Sequence, residues 1–161
     1  MVELGPDDFL FLNEFSLAMR WADSKNRVLW VGAVDAIRPV VREKGNAFWD
    51  WSMHLLAEAQ SRDNHYERPL EMGTYLAPKR SVLHWLGSLG IEDKDAYISW
   101  DPDTAAVTDW EYFLNHWDAY CQKGDNVLIW GIHESWNILF EEAGKFTFAR
   151  RRAAPSKAAA P

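Results

Sequence analysis

From Thr108 to Gly124 the apolar residues recur three and four positions apart. Trp110, Phe113, Leu114, Trp117 and Cys121 occupy i, i+3, i+4, i+7 and i+11, the spacing of one helical face. Thr108 and Glu111 stand in the capping-box relation at its start, and Gly124 ends it. A second helix is predicted over Ala47–Gln60, with Phe48, Ser52, Leu55 and Ala59 in one line and Trp49, Met53 and Leu56 beside it. A third opens at Pro78 and runs to Leu89, burying Val82, Leu83, Leu86 and Leu89; Gly90 then sits where a left-handed cap belongs, with Ile91 folding back. Near the N-terminus a helix is predicted after Pro6. Asp7 and Asp8 suit its positive dipole end, and Phe11, Phe15, Ala18 and Ala22 form its stripe, widened by Leu12, Met19 and Trp21.

Beyond Gly124 the period drops to two. Val127–Ile132 is a continuous apolar run, as in a strand covered on both faces. Trp136, Ile138 and Phe140 alternate with more polar neighbours, as do Phe146 and Phe148, and Ala143-Gly144 supplies the turn between them. "TYLA" and "AYISW" are shorter strand candidates, and Asp101–Asp103 is a turn. Residues 27–41 fit two patterns. Arg27–Val34 reads as a buried strand, whereas Trp30, Val34, Ile37 and Val41 fit a helix kinked by Pro39; the helix is preferred. The fold class that follows is α+β, a helical N-terminal half packed on a C-terminal antiparallel β-meander. One domain is expected over residues 1–149, with a disordered, basic, Ala/Pro-rich tail over 150–161.

Charge and composition narrow the function. The net charge of −7 hides a basic end: without Arg150, Arg151, Arg152 and Lys157, residues 1–149 hold 13 basic and 24 acidic side chains, a balance of −11. Such a body repels phosphates, so direct nucleic acid binding is not expected. It attracts a basic protein partner instead; the plainer alternative is that acidity serves only solubility. No apolar run approaches a membrane span, the start resembles no secretory signal, and one cysteine suits a reducing, cytoplasmic setting. Ten tryptophans strain one core, so some are expected at the surface, where Trp grips partners.

Candidate chemistry is sparse. In "IHESW", Ser135 and His133 are too close in sequence to align as nucleophile and base, and the nucleophile-elbow pattern is absent. His133 and Glu134 therefore read as a polar turn and, with Trp136, as contact points for a partner. Glu111, Asn115 and Asp118 form an acidic, amide-bearing ridge on the exposed side of the capped helix. His116 lacks carboxylates at metal-ligand offsets, and His54–Glu58 lacks the second histidine of a zinc helix, so no metal is expected. No phosphate loop, dinucleotide fingerprint or calcium loop occurs, so no cofactor is expected either, and Cys121 reads as an inert core thiol.

The acidic body, helical first half, C-terminal meander and abundant tryptophan resemble the small acidic immunity proteins of bacterial polymorphic toxin systems. The resemblance implies steric and electrostatic blocking of a basic partner, often a nuclease; a phage-encoded inhibitor has the same physical profile. Two other classes stay open. A small enzyme would show a deep pocket with paired carboxylates or a His–carboxylate pair, and a structural subunit would bury its surplus Trp in a homo-oligomer.

Overall fold

The computed structural model describes residues 2–23, 28–60, 66–74, 76–131, 133 and 136–152. Its helices are α1 (Val31–Ala36), α2 (Arg42–Gln60), α3 (Lys79–Ser88) and α4 (Trp110–Tyr120). Its strands are β1 (Ile37–Pro39), β2 (Leu70–Gly73), β3 (Asp95–Asp101), β4 (Thr104–Asp109), β5 (Val127–Gly131), β6 (Trp136–Glu141) and β7 (Lys145–Arg150). All seven strands join one antiparallel sheet in the order β1-β4-β3-β5-β6-β7-β2. The fold is α+β.

The expected C-terminal meander is β5-β6-β7, but it is the middle of a larger sheet. The β3–β4 hairpin extends it on one side, α4 crossing from β4 to β5, and two short strands from the first half close the edges. The apolar run of β5 is buried throughout because it lies at the centre of the sheet with helices on both faces.

One face carries the larger core. Ile98, Ile129, Ile138 and Phe148 lie in register across β3, β5, β6 and β7, beneath α3, α4 and the N-terminal segment. The other face is covered by α2, where the Phe48 ring meets Tyr97 at 4.6 Å and Trp51 lies 5.8 Å from Trp130. Two covered faces give more room for tryptophan than one core would. Trp21, Trp100, Trp110, Trp117, Trp130 and Trp136 are buried, Trp49, Trp51 and Trp85 are half-buried, and Trp30 is exposed.

Four expectations need correction. The N-terminal segment is three 3-10 turns, Pro6–Asp8, Leu12–Glu14 and Ala18–Trp21, not an α-helix. Its buried residues Leu12, Phe15, Ala18 and Trp21 recur every third position, the 3-10 period, and Phe11 is left 79% exposed. The preferred helix forms only over Val31–Ala36, excluding the strand alternative there. The chain is then extended over Ile37–Pro39, where the helix is predicted to continue, and Pro39 sits on an edge strand where its missing N–H costs nothing. The strand expected at Thr74–Ala77 forms earlier, at Leu70–Gly73, and Tyr75 lies outside the described residues. Finally, Asp109 rather than Thr108 caps α4, its Oδ1 accepting from the Tyr112 N–H at 2.8 Å. Thr108 ends up inside β4.

The predicted helices at Ala47–Gln60 and Pro78–Leu89 lie within α2 and at α3, and Gly90 has the left-handed φ of 62°. Arg150, expected in the tail, belongs to β7; residues 153–161 lie outside the described residues.

Candidate functional site

Two places combine exposure with chemistry. The first is the face shared by α1 and α4. Trp30 immediately precedes α1, held by its N–H on the Trp21 carbonyl, and the residue remains 49% exposed. Val28, Val31 and Val34 are exposed around it. The Trp30 ring stands 5.3 Å from His116 of α4, edge to face, and His116 lies 4.4 Å from the ring of Tyr112. At His116 the α4 backbone leaves helical geometry (φ −126°, ψ 22°). Partial burial lowers the His116 pKa, as does the nearby Lys79 charge, against an opposing pull from Asp118.

The acidic ridge runs beside this aromatic line, one residue round the helix. Glu111 and Asn115 are exposed and joined, the Asn115 amide donating to the Glu111 carbonyl at 2.9 Å. Asp118 is exposed too, but its Oδ1 takes a 2.6 Å hydrogen bond from Lys79 Nζ of α3. Asp35 on α1 is exposed as well. An apolar centre with a mostly acidic border results.

The second place is a cleft of about 550 Å³ lined by Gly90, Ile91, Glu92, Asp93, His133, Trp136 and Arg150. Trp136, read from the sequence as a contact residue, is buried here and donates Nε1–H to Asp93 Oδ2 at 2.6 Å. His133 is 73% exposed, with Nε2 at 4.0 Å from Asp93 Oδ1. That separation exceeds hydrogen-bond reach, and the cleft is open, so the pair is not the enclosed His–carboxylate dyad an enzyme would display. Glu134 and Ser135 lie outside the described residues.

A separate groove of about 650 Å³ passes Thr74, Trp117, Asp118, Cys121 and Lys123. Cys121 is buried there, and burial raises its thiol pKa well above the ordinary value, so the reactive thiolate is suppressed. Among the described residues no group of three or more His, Cys, Asp or Glu is placed to hold a metal, and no helix is long and apolar enough to cross a membrane.

The sequence brought Glu111, Asn115 and Asp118 together correctly as neighbours on one helix, and it placed His133 beside Trp136. It missed Trp30, which the helical pattern assigned to a buried stripe, and it missed Asp93 and Arg150, whose positions depend on long-range pairing. Compared with known protein families, with curated proteins and with solved structures, the chain matches none.

Proposed function

We propose that the protein is an acidic binding module that blocks a basic protein partner through the α1–α4 face, in the manner of an immunity protein or a phage-encoded inhibitor. The observation that carries this reading is Trp30, half exposed within a cluster of exposed valines and bordered by Asp35, Glu111 and Asn115. A large aromatic anchor inside a polar border is the arrangement of a protein-binding hot spot. The acidic border and the excess of acids in the body select for a basic partner, such as a nuclease toxin, and speed its approach. A cytoplasmic setting suits both the lone cysteine and such a partner.

The test is to capture partners from the source cells with the wild type and with Trp30→Ala and Glu111→Lys variants that retain the wild-type melting temperature. Retention of one basic protein by the wild type, and its loss from both variants, supports the reading. Equal retention by Trp30→Ala, or capture only of acidic proteins, overturns it.

A further inference from the structure

We propose that the cleft between the α3–β3 connection and the start of β6 binds a small zwitterion, an α-amino acid, with its ammonium group on Asp93 and its carboxylate on Arg150. The site shares no residue with the α1–α4 face and does not depend on that reading.

Asp93 is held by a hydrogen bond and sits in close packing. Its Oδ2 accepts from Trp136 Nε1 at 2.6 Å, and the pair lies directly over Gly131, where an added Cβ would fall 2.5 Å from Trp136 Nε1 and 2.8 Å from Asp93 Oδ2. The carboxylate is fixed and mostly withdrawn from water, its side chain only 12% exposed. Among the described residues its second oxygen has no donor within hydrogen-bond distance, His133 Nε2 being 4.0 Å away. A carboxylate so confined gains most from a charged donor entering the cleft.

Arg150 supplies the opposite charge. It is paired directly with Trp136 across β6 and β7, and its guanidinium is anchored by one nitrogen, NH2, on the carbonyls of Leu89 (2.6 Å) and Gly90 (3.0 Å). Among the described residues, Nε and NH1 have no protein acceptor, and no ion pair joins Arg150 to Glu92 or Asp93, although all three line the same cleft. Fixed charges of both signs are therefore presented to one small space without neutralising each other.

This arrangement selects by charge. A simple anion would meet Glu92 and Asp93, and a simple cation would meet Arg150. A molecule carrying both charges a few ångströms apart satisfies both. The guanidinium fork suits a carboxylate, and the single free Asp93 oxygen suits an ammonium donor. Ile91 and the buried Trp136 give the cleft an apolar portion on which the remainder of the amino acid can rest.

The Trp136 indole N–H reports on the site because it is bonded to the same carboxylate. The experiment follows its ¹H–¹⁵N resonance, assigned with Trp136→Phe, while each protein amino acid is added in turn at millimolar concentration. For any that binds, the deaminated acid and the decarboxylated amine with the same side chain are added at equal concentration; for alanine these are propionate and ethylamine. A saturable shift of this resonance by at least one amino acid is expected, at least tenfold weaker with either single-charge analogue and lost in Asp93→Asn. No saturable shift with any amino acid, an equal shift with either analogue, or an unchanged response in Asp93→Asn overturns the assignment. The analogues probe the intact protein, so the result stands even if Asp93→Asn fails to fold.

Discussion

Tyr120, the last residue of α4, hydrogen-bonds through its buried hydroxyl to Thr108 Oγ1, two residues before the helix begins. Thr108 Oγ1 in turn donates to the Ala36 carbonyl at 3.2 Å, so one hydroxyl ties the two ends of the α4 segment to the end of α1. Thr108→Val should leave both the Tyr120 hydroxyl and the Ala36 carbonyl without this partner and cost about 1–3 kcal/mol. Tyr120→Phe removes the orphan along with the bond and should cost less. Denaturant unfolding decides the order, and a larger loss from Tyr120→Phe would break the account. Asp109→Ala should cost ~1 kcal/mol as the loss of the true cap.

Gly131 lies beneath the Asp93–Trp136 pair, where an added Cβ would meet both side chains within 2.8 Å. Gly131→Ala should destabilise by roughly 1–3 kcal/mol, as overpacking does, and should shift the Trp136 indole resonance by displacing its acceptor. A melting temperature and indole resonance equal to wild type would show that the contact relaxes freely.

Truncation should divide sharply at the end of β7. Removal of residues 153–161 should leave the melting temperature within about a degree of wild type, whereas a chain ending at Ala149 should lose several degrees. The difference is Arg150–Arg152: Arg150 pairs with Trp136 in the sheet and holds the carbonyls at the end of α3, and Arg151 bridges to Tyr66 and pairs with Glu58. Equal behaviour of the two truncations would show that these contacts contribute nothing.

How much of this was readable from the sequence depended on how local the deciding interaction was. α2, α3, α4 and β5–β7 have long runs of one period, and Gly90 and Gly144 mark their turns with positive φ, so their existence was legible. β4 was not. Its core "TAAVT" has no aromatic residue and no alternation because it is buried on both faces beneath α2, and small side chains let that helix come close. The capping residue was misplaced by one for a related reason. Thr108 and Asp109 are both good caps, and only the β4–β3 pairing of Thr108 with Ala96 decides that Thr108 belongs to the strand. Trp30 fell on the helical stripe, yet α1 stops at Ala36, so the stripe never acquires the length needed to bury its first turn. The cleft was the least legible feature, since Asp93, Trp136 and Arg150 meet only through the sheet.

The His116 titration gives a pH signature. Its pKa in the folded protein lies below the ordinary 6.5, chiefly through burial between Trp30 and Tyr112. The unfolded chain then binds the proton more readily, so stability rises with pH across this window and is lost as pH falls below about 6.5. His116→Phe keeps an aromatic ring in place and removes the titration. Its melting temperature relative to wild type should therefore increase as pH drops from neutral toward 5. A constant difference across that range would show that His116 is protonated equally easily in both states.

The final prediction separates the two roles within the α1–α4 face. Charges at the rim act before contact, over the ~10 Å that screening permits at 0.1 M salt, so they govern the association rate. Glu111→Lys and Asp35→Lys should each slow association with the basic partner at low salt by several-fold, an effect fading at high salt, with dissociation little changed. Asp118→Lys acts differently. It also sets two cations together by losing the bond from Lys79, so its stability should fall where that of Glu111→Lys does not. Trp30 acts after contact. Trp30→Ala removes the indole of a half-exposed residue that a partner would cover, and should raise the dissociation rate at least tenfold while leaving the salt dependence of association intact, since a hot-spot truncation commonly costs 2 kcal/mol or more (roughly thirtyfold in affinity). Binding rates measured for these four variants between low and high salt decide the matter. Salt-insensitive association would sink the steering argument, and a Trp30→Ala complex as long-lived as wild type would remove the anchor from the α1–α4 face.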